Sequence, residues 1–366
     1  MDKHLLLAIG GLLTLAAPAA AQDDFEKRVA GKTAAEVNKN IQVLKTLPAI
    51  DLFPAMQFMA ASLGVSCDYC HVTDNTGRWP MEKDDKPTKV TARRMLLMVQ
   101  RLNAEEFKRE NAVTCATCHR GTQRRTTQPP LFDPAAPPRF VPATALTEKL
   151  PAVGEVLEAF VAAIGGREAN EKIVSRSYKG TLTPAGGQPL AFDVLEAAPD
   201  KLRAMVTTAE GQTVQGVDGD VVWTLDGAGQ VHGETGLEAI RMRRAANFYK
   251  NLKLAELDPG LVVTGTQTLN GRRTIVLEGT LPSRQVERLF FDAQSGLLVR
   301  RLVLSPTPFG SLPEQTDYED YRSVGQVKLP FVVRRSGAAF SNTQKYDDLK
   351  VNVPVDPARF RKPETK

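Results

Sequence analysis

The stretch that decides the reading is "LGVSCDYCHV", Leu63 to Val72, and it recurs in kind as "VTCATCHRG", Val113 to Gly121. Each holds two cysteines two residues apart and then a histidine: Cys67, Cys70 and His71, and Cys115, Cys118 and His119. No other cysteine occurs in the 366 residues. The order C-x-x-C-H suits covalent attachment of haem c. Two thiols add across the two vinyl groups on one porphyrin edge, and a single helical turn brings the next histidine under the iron as proximal ligand. A redox-active C-x-x-C needs neither the histidine nor a second copy. Two zinc knuckles usually stand roughly 15–20 residues apart, far closer than these. Disulfides are the ordinary use of cysteine in an oxidising compartment, but they leave the twin histidines unexplained. The pattern predicts two covalent haem c groups, on Cys67, Cys70 and His71 and on Cys115, Cys118 and His119.

The start of the chain sets the compartment. "MDKHLLLAIGGLLTLAAPAAAQDD" has a basic Lys3, an apolar run from Leu5 to Ala17 and small residues at Ala19 to Ala21. The run is shorter than the roughly 20 residues of a membrane span. It reads as a secretory signal peptide, residues 1–21, cleaved after Ala21. The expected location is a bacterial periplasm.

Working outward from the motifs, composition divides the chain. All cysteines precede residue 120, and "TQRRTTQPPLFDPAAPPRFVPAT" follows Gly121. Proline at that density continues neither helix nor central strand. The expected layout is a dihaem domain at 22–121, a proline-rich linker at 122–146 and a second domain at 147–366.

The first domain reads as helical. One helix is expected over 34–46. A second runs through "FPAMQFMAASLG", with Pro54 in its first turn and Gly64 as its C-terminal cap. A third is expected from about Thr88 to Phe107. Met56, Met59 and Leu63 share a face of the second, and Met95, Met98, Val99 and Leu102 a face of the third. Methionine at such spacing is ordinarily core filler. Here it also offers a sixth ligand for iron, a usual role in cytochromes c.

The second domain opens with an amphipathic helix, Val153 to Ile164, closed by Gly165-Gly166. Eight strand-like runs follow, from "RSYKGTLT" to "QVKLPFVVRR", separated by turns such as Asn270-Gly271 and Ser295-Gly296. A helix interrupts them near 236–256. Consecutive strands with short turns predict an antiparallel meander. His232, in a glycine-rich turn, reads as a solvated side chain.

"PAMQFMAASLGVSCDYCHV", "TARRMLLMVQRLN" and "VTCATCHRG" together resemble the cytochrome c subunit of photosynthetic reaction centres, over about residues 50–121. The resemblance implies a repeated unit of helix, turn and haem motif, with a helix methionine as distal ligand. On that basis Met56 is the expected partner of His71, with Met59 the alternative on the same face. Only two units match where the reaction-centre subunit typically has four haems, so the expected role is a general periplasmic electron carrier. For the second haem a distal histidine is excluded by arithmetic: His4 lies in the signal peptide, His71 and His119 are proximal, and His232 lies in the second domain. Met98, then Met95, or an open site remain. The second domain is similar in strand pattern to the Lol-type outer-membrane lipoprotein carriers. That implies a curved, half-barrel-like antiparallel sheet with helices, and a lipid, quinone or acylated ligand; a plain docking module is the alternative. The fold class expected for the whole chain is multi-domain, α plus α+β.

Net charge is +5 and the calculated pI 8.9. Arg93, Arg94, Arg120, Arg124 and Arg125 lie near the motifs, either as a solvated basic face or to pair with haem propionates or steer an acidic partner. No nucleic-acid motif is present. The expected function is single-electron transfer between periplasmic or membrane-bound redox proteins, not catalysis. Two alternatives remain: a peroxidase-like enzyme with an open iron, and a lipid- or lipoprotein-binding protein with a redox-sensing haem domain.

Overall fold

The computed structural model describes residues 29–74, 79–123, 149–209, 211–281, 284–338 and 340–364. The signal peptide, the proline-rich linker from residue 124 on, Arg124 and Arg125 lie outside the described residues. Two compact units are formed, one from 29–151 with 306–312, the other from 152–305 with 313–366. Among the described residues no helix is long and apolar enough to cross a membrane.

In the helical unit α1 spans Ala34–Val37. The helix expected over 34–46 is thus confined to its first turn. The cause is local: Asn38 turns its side chain back onto the Ala34 carbonyl at 3.2 Å, and Asn40 takes a left-handed φ of 59°. Asparagine side chains compete with the helix ladder in this way. Helix α2 spans Leu52–Leu63, and α3 spans Pro87–Arg101 with proline in its first turn, where a missing N–H costs nothing. A single π turn, Leu102–Glu106, carries α3 on toward Phe107. The last helix of the unit, α4, is Cys115–His119.

The other unit is built on one open sheet of thirteen strands, not closed into a barrel. Helix α5, Val153–Ala163, and the short α6, Arg167–Glu171, lead into it. Six strands follow in meander: β1 Ser175–Pro184, β2 Leu190–Ala197, β3 Lys201–Thr208, β4 Gly211–Asp218, β5 Val221–Leu225 and β6 Val231–Gly233. Helices α7, Gly236–Ala246, and α8, Leu254–Leu257, then carry the chain from one sheet edge to the other. Seven more strands return: β7 Val262–Leu269, β8 Arg272–Thr280, β9 Val286–Asp292, β10 Leu298–Thr307, β11 Gly310–Val324, β12 Val327–Gly337 and β13 Ser341–Val351. β1 and β13 pair antiparallel at the centre, Tyr178 opposite Leu349, and join the two meanders. Asn270 and Gly271, with φ of 50° and 77°, make the β7–β8 turn, as their sequence predicts.

The core of this unit lies in patches. Val156, Leu157, Phe160 and Ile164 pack from α5 and its end onto Leu277, Leu289, Phe291 and Leu298. Ala239, Met242 and Ala246 of α7 cover Leu202, Val217 and Val222. Glu287 is buried to 1% exposure and is met by Arg301 and, at 3.3 Å, by Arg244, which also reaches Asp258 at 2.5 Å. This ionic set ties α7 to strands β9 and β10. A buried carboxylate is tolerable only with such partners.

Candidate functional site

The first motif follows directly from the end of α2. Gly64 ends that helix with φ 63°, its N–H donating to the Ala61 carbonyl at 3.2 Å while the Val65 N–H reaches the Ala60 carbonyl at 3.1 Å. The left-handed residue redirects the chain, as glycine does at a helix C-terminus. Cys67–Tyr69 then form a 3₁₀ turn, and the amides of Cys70 and His71 both donate to the Cys67 carbonyl, at 3.2 and 3.0 Å. One tight turn therefore sets two thiols and an imidazole along one short segment. The start of α3 straps that turn in place: Lys86 Nζ donates to the Asp68 carbonyl, and Thr88 Oγ1 to the Tyr69 carbonyl at 2.5 Å.

The second motif is itself a helix, α4. The Thr114 amide donates to Thr117 Oγ1 at 3.0 Å, which fixes its first turn. Arg120 is left-handed at φ 50° and ends it. The approach loop is pinned by one side chain. Asn103 Nδ2 donates to the Val113 carbonyl at 2.9 Å, and its Oδ1 accepts from the Val113 amide at 2.8 Å. Asn103 thus imitates a strand partner for the residue just before the motif.

The two motifs meet through backbone. α2 packs against α4, and the Gly121 amide donates to the Ser62 carbonyl at 2.9 Å. A β-carbon on Gly64 would stand 2.1 Å from the Gly121 carbonyl oxygen. Glycine is required at Gly64 on both counts, conformation and approach. The sequence signals the cap; the junction it makes with the second motif has no local signature.

The side chains fit haem attachment. His119 Nδ1 lies 3.1 Å from the Thr122 carbonyl; donation there leaves the Nε2 lone pair for a metal, the usual way a backbone carbonyl orients a ligating imidazole. Among the described residues His71 Nδ1 is buried without a hydrogen-bond partner. Burial pushes the His71 pKa down, Lys89 and Lys86 add to this, and a hydrogen bond with the Met81 backbone opposes it. All four thiols are free, and burial raises those of Cys70 and Cys115. Among the described residues no three His, Cys, Asp or Glu side chains converge as a metal site, so the two C-x-x-C pairs do not assemble as knuckles. Phe53, Val90, Leu97, Met98 and Phe107 are exposed in the same unit. The residues present fit the cofactor.

The expected methionines fall on the expected helices. Met56 and Met59 are half-buried on α2, Met95 half-buried on α3, and Met98 40% exposed one turn further on. Met81, half-exposed after Trp79-Pro80, was not anticipated; its backbone reaches His71 across the segment after the first motif. Arg93 is not a free cation. Both its terminal nitrogens bind Asp84, at 2.8 and 2.9 Å, and Lys89 joins them at 3.1 Å. Arg93, with Asn40 and Lys89, holds the Asp84 carboxyl far below the usual carboxylate range. Arg94 and Arg120 are exposed. His232 departs from the expectation of a solvated loop side chain. It sits in β6, half-buried, with Nε2 3.2 Å from Asp226 Oδ2. The short β6 pairs with β5 and draws His232 over the Asp226 turn.

Two C-x-x-C-H turns are thus clamped back to back within one helical unit. Residues 14–126 match the family described as photosynthetic reaction centre cytochrome C subunit. The photosynthetic reaction center cytochrome c subunit of Thermochromatium tepidum is 41% identical over 97 residues, 25% of this chain and 22% of that protein. Cytochrome c-554 of Chloroflexus aurantiacus is 37% identical over 86 residues, 22% of this chain and 20% of that protein. The chain thus spans about a fifth of the length of the curated relatives it matches. The resemblance read from the three motif stretches is borne out. Among solved structures, LolA superfamily protein NE2245 from Nitrosomonas europaea shares 14% identity at a TM-score of 0.39, over 58% of this chain and 99% of that one. A DUF1329 family protein from Desulfovibrio piger shares 9% identity at a TM-score of 0.42, over 57% and 97%.

Proposed function

We propose that the chain is a dihaem c-type cytochrome of the periplasm that carries single electrons between periplasmic or membrane-bound redox proteins, and is not an enzyme. The observation that carries this reading is the pair of C-x-x-C-H turns held at one backbone junction, Gly64 against Gly121. Cys67, Cys70, Cys115 and Cys118 bind the two haems covalently, and His71 and His119 are their proximal ligands. Met56 and Met98 are the distal ligands. The haems supply a one-electron couple when bound. The chain's part is to hold both within one compact unit and to fix the imidazoles. His119 is oriented by the Thr122 carbonyl. Apolar side chains such as Leu97 and Phe107 exclude water from the haem edges. The sheet unit serves as a ligand-binding or docking module.

Intact mass of the mature protein tests the cofactor count: two haem additions are expected, and one in a Cys115→Ala, Cys118→Ala variant. The oxidised protein should show Met–iron charge-transfer absorption. Half of it should be lost in Met98→Ala but not in Met95→Ala, and the other half in Met56→Ala. Bound zinc, or disulfides within each motif, would overturn the reading. Rapid carbon monoxide binding to half the haem of the reduced wild-type protein would put an open iron, and hence an enzyme, in its place.

A further inference from the structure

Within the sheet unit a cavity of ≈ 110 Å³ lies beside α5 and the turn that follows α7. Its walls combine apolar side chains, among them Phe160 and Leu298, with Arg176, Lys250 and Tyr318. Lys328 also reaches it, and among the described residues no carboxylate lines it. The cations differ in how far they are already engaged. Arg176 lies 3.4 Å from both Glu196 Oε2 and the Phe248 carbonyl, and stacks 4.1 Å over the Phe248 ring. Lys250 donates to the Ala245 carbonyl at 2.5 Å and has no acidic partner within ion-pair distance among the described residues. Burial lowers its pKa, Arg176, Arg335 and Arg301 push the same way, and Glu196 alone opposes them. Among the described residues the Tyr318 hydroxyl finds no hydrogen-bond partner, unlike its neighbour Tyr321, which donates to the Leu298 carbonyl at 2.8 Å. Among the described residues, therefore, the Lys250 ammonium lacks an acid and the Tyr318 hydroxyl lacks an acceptor, in one cavity whose walls are about half apolar. An unpaired ammonium in such a place is costly.

We propose that this cavity binds the carboxylate end of an unbranched aliphatic acid, with the carboxylate on Lys250 and Tyr318 and the first methylenes against Phe160 and Leu298. A monoanion matches Lys250, the half-buried ammonium; Lys328 is exposed. Size limits the enclosed part. A cavity of about 150 Å³ encloses benzene, whereas drug-sized ligands fill roughly 300–1,000 Å³. About four heavy atoms fit wholly inside, so a longer acid would leave its tail outside.

The test is isothermal titration calorimetry of the full-length, haem-loaded protein with butyrate, laurate, butyramide and inorganic phosphate. Saturable one-to-one binding of butyrate is expected, with butyramide at least tenfold weaker. Laurate binding at least as tightly as butyrate would identify the acid as long-chain; butyrate binding more tightly than laurate would identify it as short-chain. Lys250→Met should weaken the acid at least tenfold. Tyr318→Phe, which keeps the ring and so the wall, should weaken it several-fold and leave butyramide unchanged; it carries the test by itself if Lys250→Met does not fold. Butyramide binding as tightly as butyrate, phosphate binding more tightly than either acid, or no saturable binding of either acid would overturn the proposal.

Discussion

Gly64→Ala is the sharpest probe of how the two motifs are joined. The substitution meets two separate costs. The left-handed backbone at φ 63° disfavours a β-carbon by roughly 1–2 kcal/mol. The new methyl would also lie 2.1 Å from the Gly121 carbonyl oxygen. The two backbones must then separate by about 1 Å, which strains the packing by about 1–3 kcal/mol and weakens the Gly121–Ser62 hydrogen bond, worth about 1 kcal/mol. Gly31 supplies the control within the same unit. It has φ 68° but nothing within 4 Å of an added β-carbon, so Gly31→Ala meets only the conformational cost. Gly64→Ala should therefore be less stable than Gly31→Ala by about 1–4 kcal/mol. Urea unfolding of each haem-loaded variant, followed at the Soret band, measures the difference. Faster hydrogen exchange at the Gly121 amide should accompany it. A gap below about 0.5 kcal/mol, the usual scatter for unremarkable substitutions, would refute the close-approach argument.

Asn103→Ala removes both side-chain hydrogen bonds to Val113 and should destabilise the helical unit by about 1–3 kcal/mol, with Val113 exchange accelerated and the second haem's spectrum altered before the first's. Asp84→Asn should flatten the acid limb of the stability curve. A depressed carboxylate contributes stability that is fully present above its ordinary value of 3.8 and is lost as pH falls below it, so the wild type should weaken below about pH 4 more steeply than the variant. A parallel acid limb in the two proteins would remove Asp84 as its source. In the sheet unit, Phe360 is fully buried and its carbonyl accepts from Trp223 Nε1 at 2.8 Å; Phe360→Ala should cost about 3–5 kcal/mol and red-shift tryptophan emission, and an unchanged denaturation midpoint would show that the C-terminal turn is not part of the core.

Much of the helical unit was legible because its signals are local. Pro54, Pro87 and Gly64 punctuate helices through backbone sterics, and a C-x-x-C-H turn needs only its own residues to form. The helix expected over 34–46 stops after one turn because Asn38 and Asn40 interrupt it. In the sheet unit eight of the thirteen strands were legible, with the antiparallel meander. The five passed over were β4, β6, β7, β11 and β13. Their inward positions are often polar, as at Gln215 in β4, Thr316 in β11, and Asn342 and Gln344 in β13, so no alternating apolar stripe marks them.

The sequence by itself determined the pairing of thiols with imidazoles, the helices before them, and the antiparallel character of the second unit, because each rests on neighbours in the chain. Tertiary structure decided what depends on distant approach. It set Gly64 against Gly121, and so one motif against the other; it bound Arg93 to Asp84 rather than leaving it free; it drew His232 out of solvent onto Asp226; and it left Lys250 with no acid among the described residues beside a cavity of mixed walls. Gly64 and Gly121 are far apart in sequence, and Arg93 and Asp84, like His232 and Asp226, are not neighbours in the chain; each pair is brought within a few ångströms, where hydrogen bonding, ion pairing and excluded volume act.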